Sequence, residues 1–171
     1  MCSSDRFPVT IDSDLATVTN LTITGTIDAT DFKAMRDDMP LLATLDLSGA
    51  TIAEYTGTEG TANTTSITYP KNTVPENAFL GKLSLTTITL PVGTTAIADY
   101  AFYFCKGLTG TIDLPTSIKS IGNLAFTYCS GISAVTIPAS VTSMGTMAFM
   151  SCSALLNVDN NNPNFSSVLV S

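Results

Sequence analysis

Three cysteines are the residues of this chain whose type and spacing come closest to chemistry. Cys105, Cys129 and Cys152 follow one another at steps of 24 and 23 positions. A thiolate can attack, bind metal or close a disulfide, and each use needs suitably placed partners. The chain contains no histidine. That removes the usual general base, the Ser-His-Asp relay and the common zinc ligand sets together. Asp12 and Asp14 flank Ser13, but a calcium loop needs more oxygens at fixed spacing, so the stretch reads as a solvated turn. Paired carboxylates doing glycosidase chemistry would need a deep cleft. The glycines mark turns, and none forms a phosphate loop ahead of a helix. The expectation is a protein that is not an enzyme, with no cofactor and no metal.

The cysteines close a phrase that recurs three times between Leu85 and Leu155. Ala101-Phe102, Ala125-Phe126 and Ala148-Phe149 each lead into one of them. Ahead of each pair stands a proline after an apolar triplet: Leu85, Ile88, Leu90, Pro91; Leu108, Ile112, Leu114, Pro115; Ile132, Val135, Ile137, Pro138. Ile97, Ile121 and Met144 fill a further matched slot. A period in the low twenties with leucine-type spacing marks a leucine-rich repeat, an α/β solenoid whose coils bury their apolar sides against one another. The strand before each proline should join a parallel sheet on one face, with Leu85, Ile88 and Leu90 inward and the phenylalanines stacked behind. The cysteines share one slot and point into that stack. Neighbouring coils lie about 4.8 Å apart, but parallel Cβ vectors start a disulfide poorly. A ladder of buried thiols acting as small hydrophobes is expected.

The pattern L-x-x-I-x-L-P, then I-x-x-x-A-F-x-x-C, resembles the BspA-like subclass of leucine-rich repeats. Those occur mainly in surface proteins of anaerobic bacteria and in some protist surface proteins. The resemblance covers well over half the chain strictly, with eight or so positions in phase, and most of the rest loosely. It implies adhesion or protein contact, and no chemistry.

Composition narrows the partner. Charged residues make up 12% of the chain and apolar ones 44%, with Thr, Ser and Asn standing in for Lys and Glu, a habit of exported proteins. The net charge of −7 and the absence of basic runs argue against nucleic acid and against a polybasic membrane contact. No apolar run is long enough to be a transmembrane segment. The start Met1-Cys2-Ser3-Ser4 looks like the first residues of a mature bacterial lipoprotein, with Cys2 as the lipid attachment point; a stray N-terminal cysteine is the alternative. The expected location is extracellular or the outer cell surface.

The chain reads as one domain, 1–171, of about six to seven coils. Residues 1–41 form an N-terminal cap and first coil, 42–154 the repeats, and 155–171 a C-terminal cap or a cut repeat. Phe7, Val9 and Ile11 would cover the first coil. Thr30 to Met39 is the one clear helix, with Thr30 as its cap and Pro40 as its end. Ala53 to Thr65 reads as a mobile surface loop, after which Ile67-Thr68-Tyr69-Pro70 resumes the repeat. After Leu155 the pattern departs, with Asn160 in an apolar slot.

Two outward faces are candidates for docking a protein partner, from a host or neighbouring cell. The first is a pair of polar ladders along the sheet: Thr44, Asp46, Thr68, Thr87, Thr89, Thr111, Asp113 and Thr136. Threonine is also simply a good exposed strand residue. The second lies at the Ala-Phe corner, where Tyr103, Phe104 and Tyr128, with Tyr100, Leu124, Met147 and Met150, exceed what one buried Phe per coil requires. Ordinary packing between coils is the alternative there. A structural spacer within a larger envelope protein competes with the adhesion module.

Overall fold

The computed structural model describes residues 14–62, 66–160 and 162. In it the chain winds as a three-sided solenoid of about five turns. In order, the elements are a 3-10 turn over Leu15–Thr17, β1 (Asn20–Ile27), α1 (Ala29–Asp37), β2 (Thr44–Ile52), β3 (Tyr55–Gly57), β4 (Ile67–Tyr69), β5 (Thr73–Val74), β6 (Thr87–Thr89), β7 (Ala96–Ile97), β8 (Gly110–Asp113), β9 (Ser120–Ile121), β10 (Ile132–Ile137), β11 (Ser143–Met144) and β12 (Asn157–Asn160). The first side carries two parallel three-stranded sheets, β1-β2-β6 and β8-β10-β12, and the second side carries β5-β7-β9-β11.

The third side holds the Ala-Phe corners, and their phenylalanines form one column. Phe79, Phe102, Phe126 and Phe149 stack at 5.4, 4.9 and 5.1 Å between ring centroids. Phe32 of α1 closes the near end of the column edge-on, 5.7 Å from Phe79. All five rings are buried. Each corner is also tied to the next by its backbone, as in Phe79 N–H to Ala101 O, Phe102 N–H to Ala125 O and Phe126 N–H to Ala148 O. The cysteines sit beside the column as free, buried thiols. Cys105, Cys129 and Cys152 donate to the carbonyls of Phe79, Phe102 and Phe126 in the preceding coils.

The helix starts earlier than Thr30. Asp28 is its N-cap, accepting from Thr30 N–H at 2.7 Å, while Asp31 reaches back to the Asp28 N–H at 2.8 Å. This reciprocal pair satisfies two donors that a lone threonine cap would leave. The helix ends at Asp37, before Pro40 is reached.

The greatest departure from the sequence reading lies between β2 and β5. Ile67–Tyr69 adds no rung to the first side. It pairs antiparallel with Tyr55–Gly57 as a hairpin standing off the solenoid, and β2 lies directly beside β6, with Thr44 opposite Thr87. The surface loop expected there thus contains a strand, and Thr61 and Ala62 beyond it are buried. The chain leaves the second side at Ile52 and returns to the same side, where Asn72 N–H donates to Ile52 O at 2.9 Å. One expected coil is therefore an excursion, and five turns replace six to seven.

A smaller irregularity breaks the first side in two. The stretch Leu108 to Ile112 holds one residue more than its counterparts, which makes one step 24 instead of 23; Gly110 within it sits at φ +74°, and the register of β8 against β10 shifts between Ile132 and Ala134. Between β6 and β8 the connection is the Thr109 N–H to Thr86 O bond. Beyond Leu155 the path continues: Val158 and Asn160 lie opposite Val135 and Ile137 in parallel register. Asn162 is buried and its amide donates to the carbonyls of Pro138 and Val141, closing the proline turn beneath it. Phe7, Val9, Ile11, Asp12 and Cys2 fall outside the described residues.

Candidate functional site: two outward faces of the solenoid

The polar face follows from strand alternation. Thr44 and Thr87 are exposed opposite one another, and half-buried Asp46 lies opposite exposed Thr89 across the same pair of strands. On the second sheet Thr111 lies opposite Ala134, and Asp113 opposite Thr136. Thr68 is absent from this face: on the hairpin its hydroxyl bonds that of Thr56 at 2.9 Å. Asp46 has a local task as well. Its carboxylate accepts from Ser48 N–H at 2.9 Å, which holds it below the usual carboxylate range and braces the bend of β2 from first side to second. The break between β6 and β8 separates Thr87 and Thr89 from Thr111 and Asp113, so the ladders run in two blocks.

The corner face is built on backbone strain. In each corner, two positions adopt left-handed φ, one before Ala-Phe and one two residues after the Phe. In the second turn these are Asn77 at +57° and Gly81 at +70°, residues suited to that conformation. The later turns place Tyr100 (+56°), Phe104 (+62°), Leu124 (+54°), Tyr128 (+63°), Met147 (+58°) and Ser151 (+58°) there. The conformation is locked between coils: Gly81 N–H donates to Tyr103 O, Phe104 N–H to Thr127 O, and Tyr128 N–H to Met150 O. Left-handed φ with a bulky side chain costs about 1 kcal/mol or more per residue. Burial does not repay it, since Tyr100 and Tyr128 are 36% exposed and Met147 is 54% exposed.

The side chains so placed touch one another across coils. Tyr103 meets Tyr100 at 5.7 Å, Phe104 at 6.3 Å and Tyr128 at 5.7 Å, and Phe104 meets Tyr128 at 5.9 Å. Lys106 lays its ammonium over Phe104, 4.2 Å from the ring centroid, a contact that the residue types alone did not announce. The corner residues singled out by their surplus of rings are thus brought together.

A cleft of about 510 Å³ opens between α1, the hairpin and the first corner, lined by Arg36, Asp37, Thr61, Glu76 and Lys82 among others. Its cations already have partners. Arg36 donates to Thr61 O, to Asn77 O and to Asp37, whose carboxyl it holds below its ordinary range. Lys82 stands where later coils place cysteine, and its buried ammonium donates to Arg36 O and Met39 O at the end of α1. Burial pulls the Lys82 pKa down. These groups hold the helix and hairpin to the repeats, a role the break in the cysteine series could have signalled.

One match along the chain decides the family: the BspA type leucine-rich repeat region, in six copies, covers residues 51–168. This chain belongs to the BspA-type leucine-rich repeat family. The same fold occurs in a leucine-rich repeat protein of Bacteroides ovatus, 24% identical at a TM-score of 0.59, over 81% of this BspA-type chain and 33% of that one. A T. pallidum leucine-rich repeat protein is 19% identical at a TM-score of 0.55, over 85% of this chain and 71% of that one. The present chain thus spans a third of the length of the Bacteroides protein. No curated protein sequence matches it significantly. As a BspA-type repeat region, it is a protein-interaction or surface module in its general class.

Proposed function

We propose that this chain is a non-catalytic adhesion module, working outside the cell or on its outer surface, that docks a host or neighbouring-cell protein on the Ala-Phe corner of its later coils. One observation carries the reading. Positions that take Asn77 and Gly81 in the second turn take Tyr100 and Phe104, then Leu124 and Tyr128, then Met147 before Ser151 ends the series, bulky side chains set against the backbone's preference and partly in solvent. Fold stability alone would favour asparagine or glycine there, so a use outside the fold accounts for the rings. Half-exposed aromatic and Met side chains are the usual anchors of protein interfaces. The polar face offers hydroxyls without anchors and is the weaker candidate. Cys2 would tether the module if lipidated.

The test separates docking from packing. A triple variant, Tyr100→Asn, Phe104→Gly and Tyr128→Asn, should fold with unchanged or higher melting temperature yet lose capture of purified extracellular-matrix proteins on a sensor surface. Thr87→Lys, Thr111→Lys and Asp113→Lys on the polar face should leave capture intact. Equal capture by the triple variant and the wild type would remove the corner as the docking face. A spacer without ligand predicts no capture by any of the three.

A further inference from the structure

We propose that the rings around Phe104 are a seat for cationic side chains, so that the partner of the corner face is a polypeptide segment presenting arginine or lysine. The proposal rests on the corner being the docking face and adds the chemistry of what docks there.

The seat is visible through its internal occupant. Lys106 is exposed and could swing into solvent, yet its ammonium lies 4.2 Å from the centroid of Phe104. No carboxylate takes it: among the described residues the ion pair is Arg36–Asp37. The chain carries 14 acidic residues against 7 basic ones, yet the contact made by the Lys106 ammonium is with a ring face. A π face is negative at its centre and attracts ammonium and guanidinium groups. Tyr103 and Tyr128 flank the same ring at 6.3 and 5.9 Å and offer further aromatic surface to an extended segment.

The surrounding charge has the same sense. Glu76 and Asp99 open the corners of the second and third turns, next to Asn77 and Tyr100. Asp99 accepts from the backbone N–H and the amide of Asn123, both neutral donors, so its charge remains uncompensated. A basic segment arriving at this edge meets rings that begin one residue along the chain from Asp99. An acidic segment meets the field of a chain with net charge −7. Lys106 holds the seat in the free protein and is displaced by the arriving cation.

The experiment uses the whole chain and a fluorescein-labelled peptide alternating arginine and serine, with glutamine and glutamate peptides as counterparts, read by anisotropy. The arginine peptide should bind the wild type best of the three. Lys106→Met vacates the ring and should tighten that binding about 2–5-fold. Lys119→Met, which changes the net charge equally at a distant exposed position, should not. Phe104→Gly, suited to the left-handed backbone, should abolish the preference for arginine. Equal tightening by Lys106→Met and Lys119→Met would reduce the effect to bulk charge and overturn the seat. So would a glutamine peptide that binds as well as the arginine one. If the corner triple variant loses matrix-protein capture while Lys106→Met alters nothing, the docking face stands and the cation seat falls.

Discussion

Phe126 and Phe149 lie face to face, 5.1 Å between centroids and 1° from parallel, although 23 residues of chain separate them. Neither ring reaches solvent appreciably, and each coil supplies one wall of the other's pocket. In a stack held by such nearest-neighbour contacts, stability is shared between adjacent coils.

Phe126→Ala removes a ring from the middle of the column and should cost about 3–5 kcal/mol. The gap opens between two coils that depend on each other, so the loss should spread through the C-terminal half. Hydrogen exchange at the amides of Phe102, Leu124 and Tyr128, all bonded between coils, would register it. An unchanged melting temperature would contradict the stacking as the main support of the third side.

Lys82→Met keeps most of the buried stem and deletes the ammonium. The carbonyl of Arg36 at the end of α1 then loses the ammonium as donor, and that of Met39 keeps the Leu42 N–H but loses its second donor in a buried site. The expected loss is about 1–3 kcal/mol, with earliest exchange in α1. Denaturant unfolding of the variant checks it. No loss would mean that water or another donor replaces the ammonium there.

The thiols give a pH signature. Burial pushes Cys105 up to about 12 and Cys152 up to about 11, and it raises Cys129 as well. Alkylation of the native chain should therefore stay slow at pH 8–9 and accelerate on unfolding. The linkage has a definite sign. Above the ordinary thiol pKa of about 9 the unfolded chain sheds protons that the folded chain keeps. The thiols' contribution to stability is thus fully present below pH 9 and is lost as pH rises toward the folded values. Fast labelling of all three in the native state at pH 8 would contradict their burial.

Much of the fold was legible in the residues because it is local or repeated. The slots of Leu85, Ile97, Phe102 and Cys105 return in phase, and a side chain returning every coil must point the same way each time. The burial of the three cysteines and the single column of phenylalanines follow from that. The helix was legible through its apolar face, but its cap was misread because both Asp28 and Thr30 are capping residues. Only the backbone decided which of them bonded first.

The candidate corner was legible in composition and illegible in conformation. The surplus of Tyr and Phe could be counted, but the left-handed φ at Tyr100, Phe104 and Tyr128 is imposed by hydrogen bonds to the next coil. Lys106 over Phe104 depends on a side-chain choice that no spacing encodes.

The periodic residues by themselves determined a solenoid, its inward face and its family, because each coil solves the same burial problem with the same positions. They could not determine how many coils close. Ile52 and Val74 lie 22 positions apart on the same side, a separation that mimics a full lap. The stretch between them lacks an Ala-Phe corner, and Phe32 already packs on Phe79, so the third side has no gap to fill and no ring to fill it. The edge of β2 accepts one strand, which is β6, and Ile67–Tyr69 turns back on Tyr55–Gly57 instead. That competition for one strand edge is settled only when distant parts of the chain meet.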